Sequence, residues 1–320
     1  MINASIAITQ RYFHDTLGTE RIRELHRANI WYDVGLLLAL PTVFVVLLVA
    51  LSRLHFGAVW CACLVIQGFV LMAFGLAAHE QMHRRMLPGA MGRVAGLALF
   101  VPLYRSPTQF AFWHGRHHTH LGTAHDSEQF KTDIDCTWRR IVYATVLGVL
   151  FPQRAFRRRP DSRPRVYPDT RHLSSVLLFE ARLMRAFTVT WIGAAWFFPG
   201  EVLLGYVLPL VLVTPFASTL RTVIEHSEFD ASNPFQLGCF YRTNPLTRVL
   251  FLCDSGDCHF VHHVFPRMPF YRIPAALLLM RPYFLSHGVK EHRSLAVLVW
   301  RWFADSRPYL SPASTAGRRG

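Results

Sequence analysis

The chain has 320 residues, 52% of them hydrophobic, and a mean hydropathy of +0.23, more apolar than an ordinary water-soluble domain. Its formal net charge of +14 calls for an anionic counterpart, but the arginines bracket the apolar runs instead of forming a separate basic domain, which favours lipid headgroups over nucleic acid. Six cysteines without a CxxC pair exclude a disulfide framework and a zinc ribbon.

The first residues, MINASIAITQRYFHD, lack the basic start and cleavable apolar core of a secretory signal, so they are expected to stay with the folded chain. Between Asp33 and Arg53 lie 19 uncharged residues, and 23 more run from Phe56 to Ala78. As helices they reach roughly 28 and 34 Å, enough to cross a hydrocarbon core of about 30 Å. They predict a transmembrane hairpin over about 34–52 and 56–78. HEQMH follows directly, and its spacing of four stacks His79 and His83 on one helix face. Val94 to Tyr104 is too short to span and reads as an interfacial or buried helix. FWHGRHHTH then gives His114, His117 and His118, which share an arc of about 100° on a helix, with His120 on the opposite side.

Ile141 to Pro152 is a second short apolar segment, followed by the run Arg157, Arg158, Arg159. A second hairpin is expected over about 183–200 and 202–220, divided at Pro199, Gly200 and Glu201, with Arg182 and Arg185 reaching to the interface. RTVIEHS places His226 just beyond it, with Arg221 and Glu225 spaced to pair along the helix. CHFVHH repeats the geometry of the second cluster with His259, His262 and His263. The tail from 311 to 320 has the composition of a disordered segment.

The hairpin connectors carry only Arg53 and Glu201, whereas every other stretch is rich in arginine, so both termini and the long middle segment are expected in the cytoplasm. The fold class that follows is an all-α integral membrane protein of four transmembrane helices in two hairpins, with a cytoplasmic histidine-rich cap over about 79–182 and 221–303. The whole chain, 1–320, reads as a single domain.

Seventeen histidines are present, and nine are in these clusters. His14, His26, His55, His125, His172, His287 and His292 read as isolated interfacial polar residues, and a histidine such as His226, taken alone, has the same ordinary explanation. Two HxxHH boxes and one HxxxH box do not. Nine imidazoles exceed the needs of one four-coordinate zinc, and an all-nitrogen ligand set with open positions suits two irons that must meet dioxygen. Asp126, Asp254, Asp257 and Glu225 are candidates for orienting the rings. The aromatic residues beside the boxes, such as Phe110, Phe112, Trp113, Phe270 and Tyr271, are assigned to packing.

HEQMH, HGRHH and HFVHH, in this order and flanking two hairpins, resemble the three histidine boxes of the membrane fatty acid desaturase and hydroxylase superfamily. HHVFPRMPFYRIP is similar to the segment after the third box, and RTVIEH to the stretch that precedes it in bacterial members. The resemblance covers about Ile30 to Pro282. It implies two non-haem irons held by His79, His83, His114, His117, His118, His226, His259, His262 and His263, with O2 as cosubstrate and a lipid or fatty acyl substrate. It also implies a separate electron donor of ferredoxin or cytochrome type and, by likeness to bacterial acyl-lipid members, an inner-membrane location. The three residues inside the first box are unlike acyl-CoA desaturases, which have four. His259 stands where front-end desaturases usually have glutamine, and no HPGG haem motif is present.

Desaturation is the leading expectation, with hydroxylation or carotenoid-type ketolation as the alternative. HEQMH also fits the HExxH of an intramembrane zinc protease, with Glu80 as base. The expected third and fourth spans contain no aspartate to complete such a site, and seven clustered histidines would serve no purpose there. A metal carrier would place its ligands within the spans rather than at their ends.

Overall fold

The computed structural model describes residues 2–84, 86–121, 123, 125–127, 171–226, 228–230 and 232–304. The short segment expected at 141–152, the arginines at 157–159 and the tail at 311–320 lie outside the described residues. The chain divides into two compact units, one of residues 1–27, 113–167 and 219–320, the other of residues 28–112 and 168–218.

The second unit holds the apolar helices. Helix α2 (Ile30–Arg53) starts at Asn29, whose side chain accepts from Trp31 N at 3.0 Å, and α3 (Ala58–Arg84) returns beside it. The hairpin is pinned at both ends. Trp60 Nε1 donates to Leu51 O at 3.0 Å at the turn, and Arg84 at the open end donates to both carboxylate oxygens of Asp33 and, at 2.7 Å, to Glu80. All three charged side chains of that cluster are buried. The short helix α4 (Gly89–Phe100) follows and runs into a 3-10 turn at Val101–Leu103, as the segment after the first box predicts.

Among the described residues, three helices are long and apolar enough to cross a membrane: α2, α3 and Glu201–His226. Along α2, Leu38, Val45 and Val46 point outward, and apolar surface of this extent is stable only against lipid. In Glu201–His226 the segments Glu201–Val207 and Pro209–Val213 form wide π turns before an α-helical end at Thr214–His226. The Gln67 amide on α3 donates to Gly205 O at 2.9 Å and to Phe44 O at 3.1 Å, partnering a carbonyl of those wide turns in a region without water. Gly205 is required there because a Cβ would lie 2.6 Å from Leu48 O on α2.

The expected span at 183–200 lies in a helix, Ser174–Phe197, that includes Glu180, Arg182 and Arg185. Its uncharged part begins only at Ala186, which leaves it shorter than the other three.

In the first unit, α1 (Ile2–His26) bends at Gly18, where φ is 77°. Phe13, Ile22 and Leu25 on α1 join Phe260, Val264 and Met280 in one apolar core. Gln10 Nε2 donates to Val264 O at 2.6 Å, so the N-terminal residues are structural. Pro107–His120 and Glu201–His226 are α5 and α7, and Ser174–Phe197 is α6; α8 (Pro245–Leu250), α9 (Gly256–Val264), α10 (Ile273–Ser286) and α11 (Leu295–Ala304) complete the helices among the described residues. Among the described residues the chain is mostly helical, as expected, with one parallel pair of two-residue strands, β1 (Phe240–Tyr241) and β2 (Glu291–His292).

Candidate metal centre

In the second unit, the i, i+4 spacing on α3 brings the rings of His79 and His83 to a centroid separation of 4.6 Å, with His79 buried. Glu180 anchors the start of α5, accepting from Thr108 N at 3.3 Å, from Thr108 Oγ1 at 2.6 Å and from Ser106 Oγ. A carboxylate at this end also complements the helix dipole.

The first unit gathers the other seven imidazoles. His118 Nε2 lies 2.9 Å from His114 Nε2 and 3.2 Å from His262 Nε2. The ligating atoms of His117, His226 and His263 lie within 4.8 Å of one another, as do those of Glu225, His226 and His259. His259 Nε2 is 3.3 Å from His226 Nε2 and 3.0 Å from His263 Nε2. Helix α9 is buried along its whole length, His259, His262 and His263 included. The His263 imidazolium is disfavoured first by that burial and then by the neighbouring imidazoles, above all His259, which hold the ring neutral.

The outer nitrogens reveal why these rings converge. His117 Nδ1 donates to Asp126 Oδ1 at 2.9 Å, His259 Nδ1 to Asp254 Oδ1 at 2.7 Å and His226 Nδ1 to Leu237 O at 2.9 Å. A carbonyl or carboxylate oxygen can only accept, so the proton of each neutral ring is on Nδ1 and the lone pair on Nε2. With both rings neutral, His226 and His259 turn Nε2 lone pairs toward one another at 3.3 Å. A cation between such nitrogens converts repulsion into coordination, and the donor set fits iron in character.

Of the acids expected to orient rings, Asp126 and Asp254 do so. Asp257 does not: it accepts from Thr243 N at 3.2 Å and Thr243 Oγ1 at 2.6 Å, tying the start of α9 to the segment after β1. Glu225 pairs with Arg221 at 2.5 Å, as its spacing predicts, while lying among the ligating atoms of His226 and His259. Leu237 O is an orienting group that residue types do not reveal. Its segment passes so close to the end of α7 that a Cβ at Gly238 would enter the Glu225 carbonyl oxygen. Gly238→Ala is expected to cost about 1–3 kcal/mol, read as a lower unfolding midpoint in detergent, because backbone must move to admit the methyl.

His120 is outside the metal-holding groups found among the described residues, and its ring lies beside His125 at 5.6 Å. His120→Ala is expected to keep close to full turnover. A loss as deep as that of His118→Ala would contradict the helical sorting of this box. His292, read from sequence as an isolated interfacial residue, is instead buried, with Nε2 2.8 Å from both oxygens of Glu228.

Clustered imidazoles with oriented outer nitrogens form groups that could hold metal ions, in a chain that also carries membrane-length helices. The fatty acid desaturase family model matches residues 55–294, 240 of the 320 residues, and the chain belongs to that family. It is accordingly an oxidoreductase. No curated protein matches it.

Proposed function

We propose that this chain is a membrane-bound non-haem diiron enzyme that uses O2 and two external electrons to desaturate a fatty acyl or lipid chain. The observation that carries the reading is the meeting of His226 and His259 Nε2 atoms as lone pairs, both rings being fixed by acceptors at Nδ1. His79, His83, His114, His117, His118, His226, His259, His262 and His263 are proposed as the ligands of two irons. The irons, when bound, supply the O2 chemistry that removes hydrogen from an unactivated methylene, which no side chain can do.

The residues of the chain do the rest. Asp126, Asp254 and Leu237 O hold three rings in the tautomer that offers Nε2, and Arg221 fixes Asp254 through Nη2 at 2.6 Å. Burial of α9 keeps water from His259, His262 and His263. A greasy substrate enters from the bilayer, and a separate ferredoxin or cytochrome-type protein supplies the electrons. We place both termini and the histidines on the cytoplasmic side, from the arginine distribution. The whole chain, 1–320, then works as one functional domain.

The protease reading loses support because Glu80, its required base, is buried against Arg84 at 2.7 Å. Hydroxylation remains the second reading, since the same ligands serve both outcomes and placement of the alkyl chain decides between them. Lipid profiling of a host with and without this chain tests the proposal. A new double bond in an acyl chain supports it, an alcohol or ketone shifts it to the second reading, and an unchanged profile with zinc as the sole bound metal sinks it.

A further inference from the structure

Away from the histidine boxes, the first unit contains another set of ligating side chains. Glu228 follows α7, Cys239 directly precedes β1 and His292 ends β2; all three are buried, with ligating atoms within 4.8 Å of one another. We propose that Glu228, Cys239 and His292 form a zinc site distinct from the proposed irons, whose purpose is to hold the backbone that orients His226.

The strand pair creates the encounter. Tyr241 is in register with His292, so pairing of β1 with β2 delivers Cys239 and the imidazole to one place from segments 53 positions apart in sequence. His292 Nε2 stands 2.8 Å from each Glu228 oxygen, and one ring hydrogen cannot point squarely at both. Tetrahedral zinc sets neighbouring N and O ligands roughly 3.3 Å apart at its ordinary bond lengths, so the two side chains need to part by only about 0.5 Å to admit it. Charge agrees as well: a thiolate and a carboxylate neutralise the divalent ion and leave the imidazole neutral, so the buried site carries no net charge.

Donor chemistry separates this set from the boxes. A thiolate beside imidazole and carboxylate favours zinc, whereas the boxes offer imidazole nitrogens throughout. The consequence for the neighbouring centre runs through three consecutive residues. Leu237 O accepts from His226 Nδ1 at 2.9 Å, Gly238 is pressed against the end of α7, and Cys239 N donates to Glu225 O at 3.4 Å. Fixing the Cys239 side chain to a metal therefore fixes the carbonyl that sets the tautomer of His226.

The test uses the full chain purified in detergent from cells supplied with iron and zinc. Zinc is expected at close to one per chain in addition to iron, and Cys239→Ser and His292→Ala are each expected to lose about nine-tenths of it with a smaller loss of iron. Cobalt loading gives a second readout on the unaltered chain. A thiolate-to-cobalt band in the near ultraviolet is expected, absent from Cys239→Ser, because box imidazoles cannot produce it. Wild-type protein without that band, or with zinc equal to that of Cys239→Ser, overturns the site and leaves Glu228 and His292 as an ion pair. Iron content reads the function proposed above and the cobalt band reads this site, so each can fail without the other.

Discussion

His262→Ala is expected to bring product formation down to background and to lower bound iron, while the chain remains in the membrane fraction. His262 is buried on α9, and its Nε2 lies 3.2 Å from that of His118, which in turn lies 2.9 Å from that of His114. Removing the ring takes away one of three converging nitrogens and leaves a void. The apolar helices that determine insertion are not touched. Product analysis of the host lipids, metal content of the purified chain and its membrane partitioning together check the result. Undiminished conversion in this variant would refute the ligand assignment.

The second large effect is expected from Asp254→Ala, which should cost about 10–100-fold in activity or iron affinity although Asp254 is not a proposed ligand. One oxygen of its carboxylate accepts from His259 Nδ1 at 2.7 Å and the other from Arg221 at 2.6 Å. Leu252 and Cys253, just before it, have φ of 45° and 53°, a left-handed conformation that L residues rarely adopt. The fold sustains that strained turn with bonds from Cys253 N to Arg248 O and Asp254 N to Phe251 O, both 2.8 Å, and the carboxylate is presented where the ring needs it. Without the acceptor, the His259 proton can move to Nε2, the atom required for the metal. Asp254→Asn retains an acceptor oxygen and is expected to recover part of the loss. A variant with no acceptor but unaltered iron affinity and turnover would show that His259 needs no such orientation.

Much of this site can be read from residue spacing, because an α-helix turns HxxHH and HxxxH into stacked imidazoles whatever the surroundings. Asp126 and Asp254 are also legible, being acids nine and five residues from the rings they orient. Leu237 is not, since its contribution is a main-chain oxygen and any residue type supplies one. Asp257 misleads for a related reason: proximity in sequence to His259 says nothing of Thr243, which captures it through a backbone N–H and a hydroxyl. His292 finds its partner 64 positions away, and only the strand pairing brings them together. In the fold, uninterrupted apolar length identifies α2, α3 and Glu201–His226 as membrane-length helices, whereas Ser174–Phe197 has arginines and a glutamate in its first half. The packing of α1 into the core escapes a search for long apolar stretches because its buried residues are few and dispersed.

The arginine at the open end of the α2–α3 hairpin faces two carboxylates, Asp33 and Glu80, and all three are shielded from solvent. Among the described residues, one positive group faces two negative ones, which places negative potential at the very turn of α3 that carries His79 and His83. For the ion we assign to those rings, this potential is a long-range attraction that no ligand atom supplies and that low local polarity leaves largely unscreened. The hairpin thus makes its own end hospitable to a divalent cation before any imidazole touches it.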